Sequence, residues 1–206
     1  MRGRRSDESY KRKKKNVRPN PYFIIVCEGS VTEVDYFKSF PYYNNLGGTT
    51  SSGLRYGHEP VHIEGGAGQH VQVVRRAERV LREKDAKLGS ISKADVWCVF
   101  DCDRKTPELR EAVELARRKG FKAIYSVQCF ELWFVLHFQY LSTAVADYDE
   151  RISRKLGIQY THSSTGMYEQ LIELQSAAIT NAERLWESME REGRMRQTDQ
   201  GRLYPS

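Results

Sequence analysis

VWCVFDCDRK, residues 96–105, is an apolar run that stops at two aspartates one residue apart. An apolar run without alternation reads as a strand covered on both faces, and such strands belong inside parallel sheets. Alternate residues of an extended backbone point the same way, roughly 7 Å apart. Asp101 and Asp103 therefore face one point while Cys102 faces away, and both lie at the carboxyl end of the strand.

Working outward, the same pattern recurs upstream and downstream. PYFIIVC (21–27) is a second continuous apolar run, followed by Glu28-Gly29 and then SVTEVDYFKSF. There Ser30 and Glu33 have the spacing of a capping box, and Val31, Val34 and Phe37 recur at helical spacing. VHIE (61–64) is a short strand, and GGAGQ (65–69) leads into an amphipathic helix with Val71, Val74, Ala77 and Leu81 on its inner stripe. After the strand at 95–100, Thr106-Pro107-Glu108 predicts a helix start. That helix ends at Lys119-Gly120, and FKAIYS (121–126) supplies a fourth strand. The order βαβαβαβ predicts an α/β, Rossmann-like parallel sheet of about four strands with flanking helices. Right-handed crossovers place every carboxyl end on one edge.

The rest of the chain is organised around that core of residues 21–140. Residues 41–58, rich in Gly, Ser, Thr and Asn, read as a surface loop. CFELWFVLHF (129–138) reads as a buried helix, and helices over 145–156 and 166–192 make residues 141–206 a C-terminal helical extension. The net charge of +6 is uneven, because residues 1–18 hold 9 of the 33 Lys and Arg but 2 of the 27 Asp and Glu. Residues 1–20 are thus expected to be a disordered basic tail. Its Lys13, Lys14 and Lys15 could hold nucleic acid by releasing phosphate counterions; a solubilising arm is the other reading. The four cysteines form no C-x-x-C pair and sit in or beside apolar runs, which favours reduced thiols over zinc ligands. No apolar stretch reaches the length of a membrane span, so a soluble, cytoplasmic protein with no membrane partner is expected.

The carboxylates carry the chemistry. Open α/β sheets bind ligands at the carboxyl ends of their strands, where this chain places Glu28, Asp101 and Asp103. Converging carboxylates repel one another unless a cation lies between them, and hard oxygen donors suit Mg²⁺ or Mn²⁺. Asp101 could instead cap a turn, with Asp103 solvated. Glu33 is explained by its capping position, with a metal-site role as the alternative. Glu131 lies in an otherwise apolar segment, so its carboxylate should meet a cation, a donor or water. It reads either as a helix-start acid or as a catalytic residue. His137, about 240° further around that helix, reads as a core histidine with a hydrogen-bond partner. Arg104 and Lys105 could position a phosphate, or lie solvated in a loop. GGAGQ lacks the G-x-x-x-x-G-K-[ST] pattern, so it reads as a flexible turn and not a nucleotide loop.

Glu-Gly after the first strand with Asp-x-Asp after the third resembles the Toprim fold. The longer strings VCEGSVTEVDYF (26–37), DVWCVFDCDR (95–104) and SVQCFELWFVLHF (126–138) resemble the RloB-like family. The chain departs from that family's usual strings at Ser30-Val31 and Val127-Gln128. The resemblance implies a Toprim-like nuclease of prokaryotic anti-phage defence that works with an ABC-type ATPase and acts on DNA or RNA. It implies Glu28 as the catalytic carboxylate, with Asp101 and Asp103 holding Mg²⁺. The rival expectation is a catalytically silent binding or sensor subunit that docks an ATPase, and a homodimer is left open. A topoisomerase or primase is not expected, because no room remains for a DNA-gripping domain and no zinc or template-binding module is found.

Overall fold

A computed structural model of the chain describes residues 22–40, 61–88, 91–102, 106–143, 145–197 and 203–205. The expectations for the basic tail, for residues 41–58, and for Asp103, Arg104 and Lys105 lie outside the described residues.

Phe23–Cys27 (β1) is apolar on both faces because both faces are covered. Ile24 and Val26 pack with Val96, Cys98 and Phe100 in one layer, whereas Ile25 and Cys27 pack with Val99 in the other. β1 pairs in parallel with Val61–Glu64 (β2) on one side and Val96–Cys102 (β3) on the other, and Lys122–Val127 (β4) pairs with β3. The sheet order is β2-β1-β3-β4, all parallel. This is the Rossmann-like α/β architecture expected from the sequence.

The order fixes which helices cover which face. The chain leaves β1 for β2 through Thr32–Ser39 (α1), then returns across β1 to β3 through Val71–Leu88 (α2) and on to β4 through Thr106–Lys119 (α3). Crossovers of one hand but opposite direction put α1 on one face and α2 and α3 on the other. The packing agrees: Val34 and Tyr36 of α1 join the first core, while Val73, Val74, Ala77 and Val80 of α2 and Leu109, Ala112 and Ala116 of α3 join the second. Where the winding reverses, between β1 and β3, the strand ends part to leave a crevice.

After β4, Glu131–Leu136 (α4), Tyr148–Leu156 (α5), Met167–Leu171 (α6) and Gln175–Arg191 (α7) all pack on the α1 side. No helix among the described residues is long and apolar enough to cross a membrane.

Several expectations are corrected. β3 runs on through Cys102, because Asp101 and Cys102 continue the ladder opposite Ser126 and Val127; Asp101 is a strand residue, not a turn cap. The capping box does not form. α1 starts at Thr32 with Val31 as N-cap and no side-chain cap, and Glu33 instead reaches back to the Gly29 N–H. Val31 is consequently exposed. The helix expected over 166–192 breaks at a 3₁₀ turn, Ile172–Leu174, which lets α6 pack on α1 while α7 packs on α4. The C-terminal extension is not wholly helical, since Met195–Gln197 (β5) and Leu203–Pro205 (β6) form an antiparallel pair. Strands of three residues are too short to show a period in sequence.

GGAGQ is also more than a flexible turn. Gly66 N–H donates to Gly29 O at 3.0 Å and Ala67 N–H to Cys27 O at 3.3 Å. A Cβ on Gly65 would fall 2.4 Å from Val34 Cγ2 and 2.5 Å from Gly29 O. Glycine is therefore required there, where the backbone after β2 lies against the loop that follows β1.

Candidate active site

Glu28 is the first residue past β1, and its N–H donates to Val99 O at 2.9 Å, extending the ladder by one step. In this register Gly29 falls opposite Asp101, so the loop after β1 is held against the end of β3. A cleft of about 320 Å³ opens there, with Gly29, Thr32, Glu33, Asp101, Cys129, Glu131 and His162 among its lining residues. Glu28 is at the same edge but does not line the cleft; its Oε2 accepts from the His70 N–H at 3.4 Å.

His70 was not legible as a site residue. It precedes α2 in a left-handed conformation with φ of 39°, which a non-glycine residue adopts at a cost of about 1 kcal/mol or more. Its buried ring donates from Nε2 to the Asp101 carbonyl at 3.1 Å. One residue thus links both strand ends, through its main chain to Glu28 and through its side chain to the Asp101 backbone.

Glu33 is buried, with Oε1 accepting from Gly29 N–H at 3.3 Å. Burial pushes its carboxyl pKa up. The N–H groups of Glu33 and Gly29 oppose this, and the charges of Glu131 and Glu28 add to it. Asp101 is half-buried in the cleft wall. The cleft and its edge thus gather four carboxylates, of Glu28, Glu33, Asp101 and Glu131. His162 is the one basic side chain among the described lining residues. Oxygen donors at such an edge suit a hard divalent cation. The cleft also presents one thiol, Cys129, which burial and then the Glu131 charge push well up, so it is held protonated beside the carboxylates.

Glu131 opens α4 and is 3% exposed. As expected for a buried carboxylate, it finds donors. Its Oε1 accepts from Tyr160 Oη at 3.0 Å and from His162 Nδ1 at 2.7 Å. Burial raises the Tyr160 pKa well above its ordinary value, and Glu131 adds to the shift. His137 is a buried core histidine, as read from sequence, donating from Nδ1 to Trp133 O at 2.8 Å. Burial holds its pKa down, which favours the neutral ring.

The donor atoms of Glu131, Asp149 and His162 lie within 4.8 Å of one another, the one such group of three among the described residues. Glu28, Glu33 and Asp101 share an edge without closing that tightly. Between Glu131 and His162 the 2.7 Å separation is a hydrogen-bond distance, so what they share is a proton. Tyr160, His162 and Asp149 carried no sequence signal, since the first two lie in an aperiodic loop and Asp149 looks like any solvated acid of a helix start.

The family model for RloB-like proteins matches residues 23–203. The chain belongs to the RloB-like protein family. No curated protein and no solved structure matches it.

The match spans all four strands of the parallel sheet and every cleft residue of this RloB-like chain. The loop bearing Tyr160 and His162 is tied down at several points. Thr32 Oγ1 donates to His162 O at 3.0 Å, Gly166 N–H to Asp35 Oδ2 at 2.8 Å, and Tyr160 N–H to Ser153 Oγ at 2.9 Å. α1 therefore carries the Glu33 carboxylate on one side of the cleft and anchors the histidine loop over it.

Proposed function

We propose that this RloB-like chain is a Toprim-like, metal-dependent nuclease of prokaryotic anti-phage defence, hydrolysing phosphodiester bonds in DNA or RNA beside an ABC-type ATPase partner. The observation that carries this reading is the acidic cleft at the switch point between β1 and β3, lined by Glu33, Asp101 and Glu131, with Glu28 at its edge. A polyanionic substrate enters such a cleft only if positive charge comes with it or waits for it, and among the described lining residues only His162 is basic. Glu28, Glu33, Asp101 and Asp103 would hold Mg²⁺ or Mn²⁺. Such an ion stabilises the negative charge that builds on phosphoryl oxygens. Glu28, fixed by the His70 N–H, is the carboxylate that exchanges a proton at the scissile phosphate. Arg104, Lys105 and the tail lysines Lys13, Lys14 and Lys15 are the proposed phosphate contacts.

The test is cleavage of single- and double-stranded DNA and of RNA by the full chain, with Mg²⁺ or Mn²⁺ and with chelator, beside Glu28→Ala. Metal-dependent cleavage that falls at least about 100-fold in the variant is expected, the scale on which one positioned proton-transfer group acts. Equal cleavage by both proteins, or cleavage that chelation leaves untouched, would reject the site.

A second reading, a silent subunit docked on an ATPase, is favoured by Ile179 and Trp186, exposed by 48% and 42% at seven-residue spacing on α7. It predicts co-purification with the ATPase and no cleavage under any metal.

A further inference from the structure

His162 stands at the mouth of the cleft with its side chain 71% exposed, yet its orientation is set from below. Nδ1 donates to Oε1 of the buried Glu131, and Tyr160 Oη donates to the same oxygen. A buried carboxylate bonded to one imidazole nitrogen keeps the proton there and turns the other nitrogen outward, which is the arrangement a histidine needs to act as acid or base. Nε2 lies 3.5 Å from Oδ2 of Asp149, an ion pair longer than a close hydrogen bond. Asp149 thus supports the charge on the ring without holding the Nε2 proton in a short bond.

We propose that His162, oriented by Glu131, is the general acid that protonates the leaving oxygen of the scissile phosphodiester. This role rests on the nuclease reading. Water attacks phosphorus and forms the new P–O bond, and the bond from phosphorus to the leaving sugar oxygen breaks. The leaving oxygen takes the Nε2 proton to become a hydroxyl, and the proton shed by the attacking water goes to Glu28 or solvent. Neutral imidazole remains, with Nδ1–H still on Glu131, and regains its Nε2 proton from solvent. Glu131 never touches the substrate; it is a positioning residue, and this accounts for a carboxylate buried in an apolar helix.

The surroundings favour the acid form. Glu131 of α4, Asp149 of α5 and Glu33 of α1 all face His162. Burial pulls its pKa down, but the Glu131 charge and hydrogen bond, then Asp149 and Glu33, outweigh it and the net shift is upward. A general acid works while protonated, so the rate should fall as pH rises through this raised value.

The experiment compares wild type, His162→Gln and Glu131→Gln on an oligonucleotide and on its analogue with a bridging sulfur at the leaving position, using Mn²⁺. A thiolate leaves without needing a proton. His162→Gln is expected to lose about 10²–10⁴-fold on the oxygen ester and less than about tenfold on the sulfur ester. It should also lose the alkaline fall in rate. Glu131→Gln, which still accepts from Tyr160, should move that fall to lower pH. Equal losses on both substrates, an unchanged pH profile, or weakened Mn²⁺ binding by His162→Gln in calorimetry would overturn the proposal while leaving the nuclease reading standing. A wild type that cleaves neither substrate overturns both.

Discussion

Replacing Asp101 with alanine is expected to lower metal-dependent phosphodiester cleavage by about 10²–10³-fold, the scale on which loss of one preorganised electrostatic contact acts. The fold should not suffer. Asp101 pairs with Ser126 through the backbone, and its carbonyl accepts from His70, so alanine keeps both connections. Its side chain faces a cleft that also holds Glu33 and Glu131. Metal should raise the melting temperature of wild type more than that of the variant, because an ion bound to the folded state adds about 2.7 kcal/mol at a concentration 100 times its dissociation constant. Thermal melts with and without Mn²⁺, beside the cleavage assay, check both halves. A variant that melts far below wild type without metal would make Asp101 a structural residue.

Phe134→Ala is expected to cost about 3–5 kcal/mol of folding stability. Phe134 is fully buried in α4, its ring centroid 5.7 Å from Tyr36, 5.4 Å from Phe130 and 6.0 Å from Tyr160. Aromatic contacts at these separations add to the area they bury, and three partners facing one void have little room to collapse into it. The loss reaches the site, because Tyr160 packs on Phe134 with its ring and bonds Glu131 with its hydroxyl. Urea unfolding gives the number, and a change below about 1 kcal/mol would mean this aromatic cluster is not what holds the cleft wall.

The sheet was legible because continuous apolar runs of strand length suit a covered parallel sheet and the alternation of β and α segments implies parallel crossovers; the order β2-β1-β3-β4 was not, since that alternation fits several orders. FIIVC and VWCVF announced themselves that way, and the strings around Glu28, Asp101 and Glu131 carried the family resemblance that the match over residues 23–203 bears out. Strand ends were harder. Asp101 looks like a turn former, and only its pairing with Ser126, a contact between distant segments, keeps it in β3. Ser30 and Glu33 satisfied a local rule that tertiary structure overrode, since the Gly29 N–H lay within reach of Glu33. The need of Glu131 for a donor could be read from its apolar neighbours. Its partners could not, because Tyr160 and His162 arrive from a loop whose position is set by Thr32 and Asp35 on α1. His70 is the same kind of case: nothing in GAGQH marks the one residue that links both strand ends.

On the proposed function, carboxylates distant in sequence serve one divalent ion at the β1–β3 edge. Titration calorimetry of Mn²⁺ into the full chain, beside the Glu28→Ala and Asp101→Ala variants, tests it most directly. Saturable binding by wild type that each variant weakens by at least about tenfold is the predicted result. No binding by wild type, or the same affinity in all three proteins, would contradict it.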